Sequence, residues 1–154
     1  MRKVIVLNNV SLDGVMQAPG RPDEDERNGF DRGGWAQEYN DDVKGAAMGA
    51  GMASGAELLF GRRTYEDFHY AWHGQTGNPF SEVLDNTPKY VASTTAEEPL
   101  IWENSTLLTG DVIEAVEELK QQDGPDLLIM GSNKLIQSLR AKPGVIDEYH
   151  LMIH

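Results

Sequence analysis

The sequence predicts a single α/β domain, a mainly parallel central sheet with helices on both faces. Three observations lead there. Short apolar runs alternate with segments of about ten residues that carry helical apolar spacing, as βαβ crossovers require. Several runs close on Gly, or on Gly and Ser, just before a helix start, as at Phe60-Gly61 and Met130-Gly131-Ser132. The 154 residues, 40% hydrophobic and 25% charged, match one globular domain, residues 1–154, with no internal repeat or linker.

Residues 3–10 open as a strand, nearly all apolar in its first half and therefore covered on both faces and interior to the sheet. The chain leaves through an Asp13-Gly14 turn, and Pro19, Gly20 and Pro22 keep it irregular. The acidic stretch 23–34, with Trp35 at its far end, reads as a long surface loop, and loops of that length in a compact domain are usually functional or mobile. Asn40-Asp41-Asp42 offers N-caps for a helix over 43–54. Gly45, Gly49 and Gly51 each cost that helix about 1 kcal/mol relative to alanine, so its small residues are expected to face a tightly packed sheet. Gly55 fits its C-cap, and 57–60 is the second strand.

A helix is expected over 64–68 and a loop over 72–77. Asn78-Pro79, an N-cap followed by proline at the first helical position, opens a short helix over 80–85. Strands follow at 89–93 and 105–108. Asp111 with Glu114 matches a capping box for a helix whose inner face is Ile113, Val116 and Leu119. The strand 126–130 leads to Ser132, read as the cap of a helix carrying Leu135, Ile136 and Leu139, and 147–154 is the last strand.

Composition excludes several classes. The absence of cysteine removes disulfides, thiolate zinc sites and cysteine nucleophiles. Thirteen basic against twenty-five acidic residues, a formal charge of −12, oppose binding to nucleic acid or an anionic membrane. No apolar run reaches membrane-spanning length, and Val4-Ile5-Val6-Leu7 is too short for a secretory segment, so a cytoplasmic location is expected. His69, His73, His150 and His154 have no metal-ligand spacing and read as structural or surface residues, with no metal expected. There is no Gly-x-Gly-x-x-Gly after the first strand, no P-loop and no Gly-x-Ser-x-Gly elbow.

Ligands of open α/β sheets bind beyond the carboxyl ends of the strands. There the chain places Asn9-Val10-Ser11, Gly61-Arg62-Arg63-Thr64, Ser93-Thr94, Gly110-Asp111 and Gly131-Ser132-Asn133-Lys134. Helix N-termini with arginines beside them suit an anion. The row therefore points to a nucleotide or a small metabolite.

Taken in order, Ser11-Leu12-Asp13-Gly14-Val15-Met16, Gly61-Arg62-Arg63-Thr64-Tyr65-Glu66, Lys89-Tyr90-Val91-Ala92-Ser93, Trp102-Glu103-Asn104-Ser105, Leu128-Ile129-Met130-Gly131-Ser132 and Asp147-Glu148-Tyr149 resemble the dihydrofolate-reductase-like superfamily. Within it the chain is most similar to the reductase domain at the C-terminus of the bifunctional riboflavin-biosynthesis deaminase–reductase and its stand-alone relatives. The resemblance covers nearly the whole chain and implies a three-layer dihydrofolate-reductase-like fold.

It also implies an NADPH-dependent reductase that passes a hydride to a C=N or C=O group of a small heterocyclic, pterin-like or ribosylaminopyrimidine-like substrate. By motif position, Gly61, Arg62, Arg63 and Thr64 would hold the pyrophosphate and 2′-phosphate side of NADPH. Ser93 and Thr94 would lie near the adenosine phosphate, and Gly131, Ser132, Asn133 and Lys134 would wrap the pyrophosphate from the other helix. Asp13 is the expected proton-handling residue, with an Asp-Gly turn as its structural alternative, and Asn9, Ser11 and Trp35 are expected on the substrate side. Counting back from Gly61 by the family's spacing lands on Gly45, where dihydrofolate reductases carry their pteridine-binding carboxylate, so dihydrofolate is not the expected substrate.

Family members run on past the Asp147-Glu148-Tyr149 strand, so either the C-terminal strands are truncated here or the sheet edge is completed differently, as by a homodimer partner. The alternatives are a non-catalytic nucleotide-binding or regulatory protein that keeps the fold, and a structural dimerisation module.

Overall fold

A computed structural model describes residues 1–154. Six strands, β1 (Val4–Val10), β2 (Glu57–Gly61), β3 (Lys89–Ala92), β4 (Ser105–Leu108), β5 (Leu127–Met130) and β6 (Glu148–Ile153), form one sheet in the order β4-β3-β2-β5-β1-β6. Every pairing is parallel, so the sheet is wholly rather than mainly parallel. After β1 the chain passes over the position of β5 to lay down β2, builds outward to β4, then returns to insert β5 and add β6 beyond β1. That reversal puts a switch point at the carboxyl ends of β1, β5 and β2, where open sheets leave a crevice.

Five helices cover the two faces: α1 (Asp42–Ala53), α2 (Arg62–Trp72), α3 (Pro79–Asn86), α4 (Val112–Gln121) and α5 (Asn133–Arg140). On one face Val4, Val6, Leu59, Leu127 and Ile129 meet Val116 and Leu119 of α4 and Leu135, Ile136 and Leu139 of α5. On the other, Leu7, Leu58, Phe60, Leu128 and Met130 meet Tyr65 and Phe68 of α2, Leu84 of α3 and the methionines of α1. All four residues of β5 are buried, as both-face coverage of a central parallel strand demands. No helix is long and apolar enough to cross a membrane.

Local chemistry accounts for most element starts. Asp41 accepts from Lys44 N, Asn78 from Phe80 N ahead of Pro79, and Asp111 from Ile113 N and Glu114 N, so each caps its helix. Three elements differ from expectation. α2 starts directly on Arg62 and runs to Trp72, because Tyr65, Phe68 and Trp72 form a helical apolar stripe against the sheet side that its aromatic, polar composition disguises. Ser132 does not cap α5: it sits at φ 61° in the left-handed region and its side chain makes no capping bond. In α1 no residue is fully buried, and of its three glycines only Gly51 packs closely, a Cβ there falling 3.3 Å from Leu7 Cδ2.

Gly45 and Gly49 face open space, and a methyl group added at either would meet nothing within 4 Å. Gly45→Ala and Gly49→Ala are each expected to raise stability by about 0.5–1 kcal/mol in urea unfolding, by lowering the entropy of the unfolded chain. Gly51→Ala is expected to gain less, because its new methyl crowds Leu7.

β6 pairs with β1 on its inner side and forms the sheet's edge, with Tyr149, Leu151 and Ile153 exposed along one face. Residues 11–41 contain only two single-turn 3₁₀ segments, Arg27–Gly29 and Gln37–Tyr39, in keeping with the irregular loop expected there.

Candidate functional site

A cleft of about 1680 Å³ opens at the switch point, larger than the roughly 300–1,000 Å³ of ordinary small-molecule pockets. It is lined by the carboxyl ends of β1, β2, β3 and β5, the N-termini of α2 and α5, the loop segment around residues 19–28, Met48 of α1 and one side of α2. Gly61, Arg62, Arg63, Thr64, Ser93, Thr94, Gly131, Ser132, Asn133, Lys134 and Asn9 all line it. Ser11, Asp13 and Trp35 do not.

Asp13 lies in a turn outside the cleft lining. Its carboxylate accepts from Ser11 Oγ, while Ser11 Oγ accepts from Val15 N and Ser11 O accepts from Gly14 N, a turn closed on itself with Asp13 exposed. The turn chemistry of Asp-Gly accounts for both residues. Trp35 donates its indole N–H to Gln17 O at 2.8 Å and lies edge-on to His154 at 5.7 Å, which makes it an internal tie of the loop. Asn9 does face the cleft, with its Oδ1 at 2.9 Å from His154 Nε2.

Three of the expected backbone donors are already used. Gly61 N donates to Ser132 Oγ at 2.9 Å, Ser132 N donates to Thr64 Oγ1 at 3.0 Å, and Gly131 N donates to Asn8 Oδ1 at 2.6 Å. The first two bonds lock the start of α2 against the start of α5, and the third ties the end of β5 to β1. Gly131 has φ 70°, and a Cβ there would lie 3.1 Å from Thr64 Cγ2, so glycine is required on both counts. Ser132→Ala leaves Gly61 N without its acceptor and is expected to lower unfolding free energy by about 1–3 kcal/mol in denaturant titration.

Asn8 was absent from the sequence expectations. Its only signal is a polar residue late in an apolar strand, and it is 3% exposed with Nδ2 unpartnered.

What remains open toward the cleft is the first turn of each helix, whose N–H groups have no helical acceptor, and two cations. The side chains of Arg63 and Lys134 are exposed and make no hydrogen bond or ion pair within the chain. Arg62 is different: Nε donates to Glu66 Oε1 at 2.7 Å and Nη1 to Thr95 Oγ1 at 2.9 Å, bridging α2 to the loop after β3. Ser93 Oγ accepts from Thr95 N and Ala96 N, which shapes that loop. Two unpaired cations beside two helix N-termini, in a chain of charge −12, form a donor set suited to the phosphates of a dinucleotide.

The loop is strapped across α2. Arg21 holds Asp67 with both terminal nitrogens, at 2.5 and 3.3 Å, and stacks 5.6 Å over the Tyr70 ring. Glu24 accepts from Gly20 N and Arg21 N, and its burial pushes the carboxyl above the ordinary glutamate value. His69 and His73 lie outside the cleft, stacked at 4.5 Å beside Trp102, with Asp85 2.8 Å from His73 Nδ1.

The family described as the RibD C-terminal domain matches residues 2–154. No curated protein is significantly similar in sequence. Among solved structures, a protein of Shewanella sp. PV-4 named for riboflavin biosynthesis aligns at 21% identity and TM-score 0.59, covering 98% of this chain and 76% of that one. That likeness carries the fold, and the family match over almost the entire length carries the kinship. This chain belongs to the RibD C-terminal domain family.

Proposed function

We propose that the protein is an NADPH-dependent reductase that transfers a hydride to a C=N or C=O group of a small molecule. Family membership supports the coarse part, a riboflavin-pathway reductase-like function. The observation that carries the cofactor is the pair of unpaired cations, Arg63 and Lys134, at two adjoining helix N-termini in one cleft. Arg62, held by Glu66 and Thr95 beside Ser93 and Thr94, is the group we assign to the 2′-phosphate, since arginine near the ribose accommodates it. The cofactor supplies the hydride; the protein's part is to bind it, orient it and exclude water.

Titration of the protein with NADPH and with NADH, followed by nicotinamide fluorescence, tests this reading. Saturable binding with NADPH the tighter ligand is expected, and no binding of either overturns it. Binding without turnover on any carbonyl or imine compound would assign the chain instead to a non-catalytic nucleotide-binding role.

A further inference from the structure

We infer that Asn28 is a site of spontaneous modification, at which the side-chain amide is lost as ammonia and a new carboxylate appears on the lining of the cleft. The reaction is intramolecular. The backbone nitrogen of Gly29 attacks Cγ of Asn28, the side-chain amide nitrogen leaves as ammonia with the proton that Gly29 N gives up, and a five-membered imide closes. Water then opens one or the other C–N bond of the imide, which gives aspartate or isoaspartate. No oxidant, reductant or cofactor enters the balance.

The chain has eight asparagines, and Asn28 alone is followed by glycine. A side chain on the next residue crowds the attacking nitrogen, and each of the other seven precedes a residue that has one. Asn78 is further protected, because the nitrogen of Pro79 carries no proton to give up. Several of the others are also held in place. Asn8 Oδ1 accepts from Gly131 N, Asn86 Nδ2 donates to Glu82 O at 2.8 Å, and Asn104 Nδ2 donates to Asp85 O at 3.1 Å. Asn28 is exposed, and no neighbour engages its amide.

The backbone around Asn28 can make the turn that ring closure needs. Asn28 sits at φ 60° and ψ 24° and Gly29 at φ 74°, so the peptide between them must rotate to bring Gly29 N against Cγ. The hydrogen bond closing this turn, Phe30 N to Arg27 O, is 3.4 Å long and therefore weak. Space is open as well, since even a Cβ at Gly29 would meet nothing within 4 Å. On the preceding side the loop is pinned, because Gln17 Nε2 donates to Asp25 O at 3.1 Å and to Arg27 O at 3.0 Å. The swing thus falls on the two residues that react.

Position gives the change a consequence. Asn28 lines the cleft beside Asp25, Glu26 and Arg27, and Arg27 is already paired with Asp25. The product carboxylate therefore finds no free cation next to it and adds one negative charge to a chain already at −12. An anionic ligand entering the cleft meets that charge as repulsion, which salt screens. With NADPH as the ligand, this consequence rests on the reductase reading above; the chemistry at Asn28 does not.

The test holds the full chain, without ligand, in mildly alkaline buffer at body temperature for several days and follows each asparagine by peptide mapping with mass spectrometry. Asn28 is expected to convert at least about tenfold faster than any other asparagine, with a matching acidic species in isoelectric focusing. Asn28→Gln, whose longer side chain would have to close a six-membered ring, is expected to form that species at least about tenfold more slowly. Conversion at Asn28 no faster than at the other asparagines, or an acidic species that persists in Asn28→Gln, overturns the inference. The converted and unconverted forms, separated by anion exchange, are then titrated with NADPH. The converted form is expected to bind about twofold or more weakly at low salt and equally at high salt. Equal binding at low salt overturns the effect on the cleft. Failure of fresh protein to bind NADPH at all overturns the reductase reading instead, while the conversion is scored by mass alone.

Discussion

Arg63→Ala is expected to weaken binding of NADPH and NADH alike by about 10- to 100-fold, leaving the ratio between them nearly unchanged. The magnitude is that of losing a charge-assisted hydrogen bond, about 1.5–3 kcal/mol. It applies in full because the Arg63 guanidinium has no partner within the chain, so its removal takes a contact from the ligand and leaves no protein group stranded. Lys134→Ala is expected to act in the same direction, and both effects should shrink as salt is raised. Arg62→Ala should behave differently. Its side chain is pre-oriented by Glu66 and Thr95 toward the loop after β3, so its loss should narrow the NADPH-to-NADH ratio by a comparable factor while touching NADH little. Fluorescence titration of the three variants with both cofactors checks the division. Equal wild-type affinity for NADPH and NADH would remove the 2′-phosphate assignment.

The second large effect lies away from the cleft. Lys89 is fully buried at the start of β3, where its ammonium donates to Thr87 O at 2.8 Å, Glu103 O at 3.2 Å and Asp85 O at 3.3 Å, and sits 4.5 Å over the Trp102 ring. It thereby serves the carbonyls at the end of α3 and ties the segment before β4 to them. Lys89→Met keeps most of the volume but leaves those carbonyls without a donor, and is expected to lower stability by about 3 kcal/mol, a large fraction of a typical domain's total. Urea unfolding checks it.

The same residue sets a pH dependence whose sign follows from its burial, which lowers the ammonium pKa from 10.5 to about 8. Between about 8 and 10.5 the unfolded chain holds this proton and the folded chain releases it, so this group's contribution to stability rises with pH across that window. Below about 8 both states are protonated and the desolvation cost is present in full. Subtracting the Lys89→Met profile from the wild-type profile isolates this slope, and a flat difference would argue against it.

Much of the fold was legible locally. Strands that are apolar on both faces, caps such as Asp111 and Asn78, and glycines at strand ends each act within a few residues, so composition and spacing reveal them. The row of motifs beyond the strand ends was legible for the same reason. Three expectations on the substrate side, Ser11, Asp13 and Trp35, placed residues outside the cleft, because their side chains are consumed by neighbours within the loop itself. The partners of Asn8 and Lys89 were not legible, since a polar residue inside an apolar strand carries no local sign of its partner.

By itself the sequence determined the α/β class, the parallel sheet, the caps Asp41, Asn78 and Asp111 and a row of glycines, hydroxyls and cations beyond the strand ends, all consequences of short-range periodicity and capping. Only the tertiary structure decided which donors in that row remain open. Gly61 meets Ser132, Thr64 meets Ser132, and Gly131 meets Asn8 across 68 to 123 positions of chain, and those pairings exist only once β2, β5 and β1 take their places side by side. Arg63 and Lys134 are left free; Arg21 is paired through the tertiary fold with Asp67 of α2, whereas Arg62–Glu66 and Arg27–Asp25 are local pairs. Residue type says that an arginine can bind an anion; whether a carboxylate already occupies it depends on register and packing.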